Sequence, residues 1–225
     1  MGRVIWHNET LLEEAHLCYN RADGCSAHAE RMCEVSTADD IALFFTDPAV
    51  EPSIPGTFSV LYLLRRDISL CIRKRRALWL GAMGTLAGID LLAKFLAGSD
   101  QTRRVGERFR AFIDEYFKPL GSDDAETIYQ LRNALLHSFG LYSSSGQKEY
   151  RFTVLCEPLN TGLVQSRPTA SQYMVNLWLL HAEFEKAIAR YKADLGADQG
   201  LRDKFGAMFP KYGTTGVGFA GFRTS

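Results

Sequence analysis

Arg132, Asn133 and His137 are the residues whose types and spacing point most directly to chemistry. They fall in the stretch Ile128-Tyr129-Gln130-Leu131-Arg132-Asn133-Ala134-Leu135-Leu136-His137-Ser138-Phe139-Gly140, polar groups set in an apolar run. An imidazole moves protons near neutral pH, a guanidinium steadies anionic oxygens, and a carboxamide orients either of them. Asn133 and His137 are four apart and share a helical face. Arg132 precedes His137 by five positions, about 140° around an ideal helix. The pair is therefore expected to converge on one ligand most easily if the helix deforms or a second subunit supplies the missing group. The competing reading is a histidine held by hydrogen bonds among leucines, in a core or an interface. Ser138, next in the chain, is taken as a supporting residue.

Two further features bear on this triplet. Asp90 lies inside the apolar run Leu78–Leu92, where an unpaired charge would be costly. It is expected either to orient Arg132 or His137 across a helical bundle or, the favoured reading, to complete a structural network. The run Arg73-Lys74-Arg75-Arg76 suits RNA phosphates as a second role beside its default as a solvated basic face. No strand-associated GxGxxG, P-loop, HExxH or nucleophile elbow is found. No cofactor is indicated, and no metal at the triplet.

The elements that must position these residues are legible as helices. Leu61, Leu64, Ile68, Cys71 and Ile72 recur at helical spacing. Residues 77–97 follow as an apolar segment whose Gly81, Gly84 and Gly88 suit close helix contacts. Val105, Phe109, Phe112, Ile113 and Tyr116 line a third helix over about 102–117. The fourth, bearing the triplet, is expected from an Asp123 cap to Phe139, with Asp123 and Glu126 as a capping box and Gly140 as its stop. Ser143–Gly146 reads as a turn, and the alternation of Tyr150, Phe152, Val154 and Cys156 as a strand. Gly162–Gln165 would pair back on it, giving a hairpin over about 148–166. A long helix is expected from about Ala170 to Leu195, with Tyr173, Leu177, Leu180, Phe184, Ile188 and Tyr191 on its stripe. The Gly-rich end, 196–225, reads as a loosely docked tail.

Ahead of this body, residues 1–56 read as an acidic, weakly structured leader. They hold three Arg and ten Asp or Glu, a net −7, balanced by +7 in residues 57–225. A basic body attracts a phosphate backbone, and an acidic segment screens it. His7, His16, Cys18, Cys25, His28 and Cys33 match the paired spacing of zinc ligands only weakly; a metal-responsive regulatory segment is the third reading they allow. The five cysteines include no CxxC pair, and the first twenty residues lack a continuous apolar run. Reduced thiols in a cytoplasmic protein are expected. The segment 77–97 resembles a membrane span in composition, but Asp90 and Lys94 interrupt it after about 13 charge-free residues, short of the roughly 20 that spanning requires. A buried core helix without a membrane partner is the expectation.

The string RNALLH within LRNALLHSFGLY resembles the Arg-polar-xxx-His signature of HEPN domains (higher eukaryotes and prokaryotes nucleotide-binding). The preceding helices, ending in ERFRAFIDEYF, suit that family's bundle, and the likeness covers residues 57–195. It implies a mainly α fold, an antiparallel helical bundle with a small β-hairpin insertion. It also implies a homodimer that brings the two motifs to a shared cleft, and a metal-independent endoribonuclease acting in stress, toxin–antitoxin or phage defence. In that role His137 would be the acid or base at the ribose 2′-hydroxyl or the leaving oxygen. Arg132 would steady phosphate charge, and Asn133 would orient the histidine or the phosphate. Some toxin members carry Tyr two residues after the histidine as the target of a nucleotidyltransferase antitoxin; Phe139 stands there, which departs from regulation of that kind, while an antitoxin or other partner protein stays among the partners the resemblance allows. Other branches are non-catalytic modules for dimerisation or nucleotide and RNA binding, and that alternative stays open.

Overall fold

The computed structural model describes residues 37–50, 57–73, 77–117, 120–121, 123–157, 162–167 and 170–216. Two compact units divide the chain, Met1–Asp39 and Asp40–Ser225; nearly all described residues belong to the second. The six His and Cys of the acidic segment, together with Lys74, Arg75 and Arg76, lie outside the described residues.

The architecture is mainly α. A helix over 37–44 (α1) leads to β1 (Thr57–Ser59), α2 (Val60–Arg73), α3 (Leu78–Ala97), α4 (Val105–Tyr116) and α5 (Asp124–Ser138). Four strands follow: β2 (Tyr142–Ser145), β3 (Lys148–Leu155), β4 (Val164–Arg167) and β5 (Gln172–Asn176). The chain continues through α6 (Leu177–Ala197), α7 (Gln199–Tyr212) and β6 (Thr214–Gly216).

Helix α3 is the hub. It is apolar nearly all round, and it packs against α2, α4, α5, α6 and α7. A helix hydrophobic on every side must be enclosed, and Leu86, Ile89, Leu92 and Phe95 are buried. Its glycines bring neighbours close, as the sequence predicts. A Cβ on Gly81 would stand 2.6 Å from Cγ1 of Ile72, and one on Gly84 would stand 2.8 Å from Cγ1 of Ile68. Among the described residues, α3 is the one helix long and apolar enough to cross a membrane, and half of its most apolar window is buried within the protein.

Several expectations are corrected by nonlocal pairing. Ser143–Ser145 form strand β2, and the reversal falls one step later at Gly146-Gln147, with Gly146 at φ +60°. The predicted hairpin of β3 with the segment near 162–165 does not form. The sheet order is β2-β3-β5-β4. β3 runs parallel to β5, with Phe152 opposite Tyr173, and β4 pairs antiparallel to β5. Residues 172–176 are strand and not the first turns of a helix. Tyr173 and Val175 alternate inward, and α6 starts only at Leu177, where buried Asn176 caps it. The segment 196–225, expected as a loose tail, contains α7, whose Phe205, Met208 and Phe209 are buried. It also supplies β6, which pairs with β1 in the register Phe58 opposite Thr215. Within the segment 1–56 read as a leader, Phe44 and Phe45 are core residues; the Phe44 ring lies 4.6 Å from Phe95.

Candidate functional site

Helix α5 carries the triplet, and its two ends are built differently from the expected cap and stop. The Asp123 carboxylate makes no capping hydrogen bond. Its carbonyl instead accepts from the Thr127 hydroxyl (2.9 Å), and the Gly121 amide donates to Asp124 Oδ2 (2.8 Å). Glu126 does not reach back along the helix, because Arg110 of α4 holds one of its oxygens at 2.9 Å and Gln130 donates to the other at 2.7 Å. At the far end, Phe139 and not Gly140 adopts the left-handed conformation, at φ +48°. A side chain there costs about 1–2 kcal/mol of steric crowding.

Within this helix the Arg132 side chain covers the angular gap to His137, without helix deformation and without a second subunit. Nη1 of Arg132 lies 2.6 Å from Nε2 of His137 and donates to Asn133 Oδ1 at 3.2 Å. Its Nη2 donates to Asp90 Oδ2 of α3 at 3.0 Å. The ion pair is well enclosed, with Arg132 11% and Asp90 15% exposed, whereas His137 and Ser138 are exposed and Asn133 is half-buried. A guanidinium has only donors, so the imidazole accepts at Nε2 and carries its proton at Nδ1. The cluster thus runs from a shielded carboxylate, through a shielded guanidinium, to a solvent-facing imidazole. Asp90 Oδ1 and Arg132 Nε are buried and unpartnered.

Asp90, predicted to need a partner, therefore has Arg132. Ser138 stands exposed beside His137. Arg73 is exposed at the end of α2 and makes no hydrogen bond or ion pair with the α5 cluster. Among the described residues, no three His, Cys, Asp or Glu side chains gather as a metal site. A shallow open depression is lined by Gln147, Lys148, Glu149, Ser171 and Tyr173, none of them predicted as site residues.

Sequence reasoning missed a second polar chain on α5. Ser143 of β2 donates to Gln130 Oε1 at 2.6 Å, Gln130 donates to Glu126, and Glu126 also accepts from Arg110, whose guanidinium lies over the Tyr129 ring. This chain ties the sheet and α4 to the helix that carries His137. The i,i+4 spacing of Glu126 and Gln130 was its visible signal.

No family model, curated protein or solved structure matches this chain.

Proposed function

We propose that this protein is a HEPN-like, metal-independent endoribonuclease that works as a homodimer on RNA, in stress, toxin–antitoxin or phage defence. One observation carries the reading: an exposed His137 is held at 2.6 Å by Arg132, which is itself anchored on Asp90. A fixed imidazole open to solvent, with a guanidinium at its edge, is suited to general acid–base work on a phosphodiester.

In the proposed reaction the Arg132 guanidinium shifts from His137 Nε2 to the bound phosphate, and the freed Nε2 takes the proton of a ribose 2′-hydroxyl. The O2′–P bond forms as the P–O5′ bond breaks, leaving a cyclic phosphate. The departing 5′ oxygen takes a proton from the imidazolium of the second copy. Before substrate binds, Arg132, largely enclosed, holds His137 and Asn133 in place; in the reaction its charge bears on the phosphate while Asp90 keeps the guanidinium anchored. The same enclosure supports the second reading, a non-catalytic HEPN-like module for dimerisation or RNA binding, because Asp90, Asn133 and His137 already engage Arg132.

The test is incubation of purified protein with labelled RNA in chelator, beside Arg132→Ala and His137→Ala. Chelator-resistant cleavage lost in both variants supports the nuclease. Equal cleavage by all three proteins overturns it, and no cleavage by any leaves the binding module as the reading.

A further inference from the structure

The residues immediately after the helix carry a feature that the cluster does not use. Phe139 is 73% exposed, the most exposed of the large hydrophobic side chains among the described residues. It holds a left-handed backbone at φ +48° although Gly140, suited to that conformation, is the next residue. Placing glycine one position late turns a bulky ring outward directly beside His137 and Ser138. Three residues on, at the start of β2, Tyr142 is 49% exposed, and its hydroxyl donates to Glu149.

The composition of this surface selects its occupant. Among the described residues of the stretch 137–149, the exposed large hydrophobics are Phe139 and Tyr142, and the polar residues His137, Ser138, Ser144 and Glu149 of the same stretch are exposed. The other exposed large hydrophobics belong to other segments: Val50 follows α1, Leu70 lies on α2, and Trp79 and Leu80 lie on α3. Each partner of a stable protein interface buries about 800 Å², far more than two rings supply, so contact between copies in the proposed dimer rests on surface beyond them. Single-stranded nucleic acid needs only isolated aromatic faces with polar neighbours, because each base presents a π surface.

We infer that Phe139 is a stacking platform for an unpaired RNA base, with Tyr142 as an adjoining face, and that it seats a nucleotide of the bound RNA beside His137. The inference rests on the proposed action on RNA but not on catalysis. Phe139 is a positioning residue for substrate, so its loss acts on affinity and KM and leaves the chemical step alone.

The experiment uses a fluorescently labelled, single-stranded 2′-O-methyl RNA 12-mer, which lacks the attacking hydroxyl and stays intact. Its affinity is measured at one fixed salt concentration for the full chain and for Phe139→Leu, Phe139→Ala and Phe139→Tyr. Leucine keeps the apolar bulk and the left-handed strain but removes the π face. The expected result is about tenfold weaker binding for Leu and Ala, restored by Tyr, with unchanged circular dichroism. Affinity unchanged in Phe139→Leu overturns the platform, as does a wild-type protein that does not bind the oligonucleotide. A shift in sedimentation of Phe139→Leu with unaltered RNA affinity also overturns it, and assigns the ring to contact between copies. Cleavage of the 2′-hydroxyl RNA is followed in parallel. Phe139-dependent binding without cleavage keeps the platform and removes the nuclease. His137-dependent cleavage whose KM ignores Phe139 removes the platform alone; a KM raised about tenfold with kcat within about twofold supports it.

Discussion

Asp90 and Arg132, forty-two positions apart in sequence, face each other from α3 and α5 at 3.0 Å. The pair joins the hub of the fold to the helix that carries His137, so stability and site geometry share one contact. Removing one partner of an enclosed ion pair strands the other charge. With 11% and 15% exposure on the two side chains, some solvent screening remains. Asp90→Ala is expected to cost about 2–3 kcal/mol in urea unfolding at pH 7, and Asp90→Asn, which keeps an acceptor, about 1 kcal/mol. The double variant Asp90→Ala with Arg132→Met should lose less than Asp90→Ala alone, because no charge is then abandoned. A double loss equal to the sum of the singles would show that the two residues do not act on each other.

Phe139 offers a stability readout separate from RNA. Its left-handed backbone costs about 1–2 kcal/mol for a residue with a Cβ, and glycine's extra chain entropy returns about 0.5–1 kcal/mol of that. Phe139→Gly is therefore expected to raise stability by about 0.5 kcal/mol, a small upward shift in Tm, while Phe139→Ala gains nothing. A clear drop in Tm for the glycine variant would mean that the ring packs against the protein in solution.

Asn176 sets the boundary between β5 and α6. Its Oδ1 accepts from the amides of Trp178 (3.0 Å) and Leu179 (3.4 Å), and its Nδ2 donates to the Glu157 carbonyl at 2.9 Å. Asn176→Ala removes a cap and strands buried groups, with an expected cost of about 2–3 kcal/mol. Asn176→Asp keeps the cap but loses the bond to Glu157, and should cost about 1–2 kcal/mol by the same denaturant titration. An aspartate as damaging as alanine would deny the cap its part.

Residues 172–176 show where the sequence stopped being legible. Tyr173 and Leu177 are four apart, which fits a helical stripe, while Tyr173 and Val175 are two apart, which fits a strand. The choice is made by β3, some twenty residues upstream, through a parallel pairing that no local pattern announces. Residues 199–212 failed for another reason. Phe205, Met208 and Phe209 have clear helical spacing, but Gly200, Gly206 and Pro210 interrupt it and the run Gly213, Gly216, Gly218 and Gly221 that follows reads as a loose end. By contrast α2 to α5 were readable, because each has a continuous apolar face decided by its own residues. Within the site, Asn133 and His137 followed from helical spacing alone. The reach of Arg132 did not, since a long side chain pinned by Asp90 can cross an angle that backbone geometry sets apart.

Gly88 tests how tightly the hub is packed. A Cβ there would meet the Phe184 ring of α6 and stand 3.1 Å from Leu64 Cδ2 of α2, so α3 is wedged from two sides. Gly88→Ala is expected to destabilise by about 2 kcal/mol despite alanine's better helix propensity. Adding Phe184→Leu should recover part of that loss, measured by thermal unfolding. Independent, additive effects would place the clash elsewhere.

His181 on α6 predicts an acid-sensitive component of stability. Burial is the main reason its pKa lies below the 6.5 of a free imidazole; Glu185 on the same helix raises it, while Arg73 and Arg65 of α2 lower it. Its Nδ1 is buried without a partner, and Arg65 is tied to Glu185 at 2.6 Å, which weakens the one nearby group favouring a charged ring. Below pH 6.5 the unfolded chain binds a proton that the folded chain resists, so stability falls as pH drops from 6.5 toward the folded value. Above pH 6.5 both states hold a neutral ring, and this residue adds no pH dependence. Urea unfolding at about pH 7.5 and about pH 5.5 should therefore show a larger acid loss for wild type than for His181→Gln, whose amide does not titrate. If the difference between the two proteins is the same at both pH values, the folded protein does not hold His181 neutral.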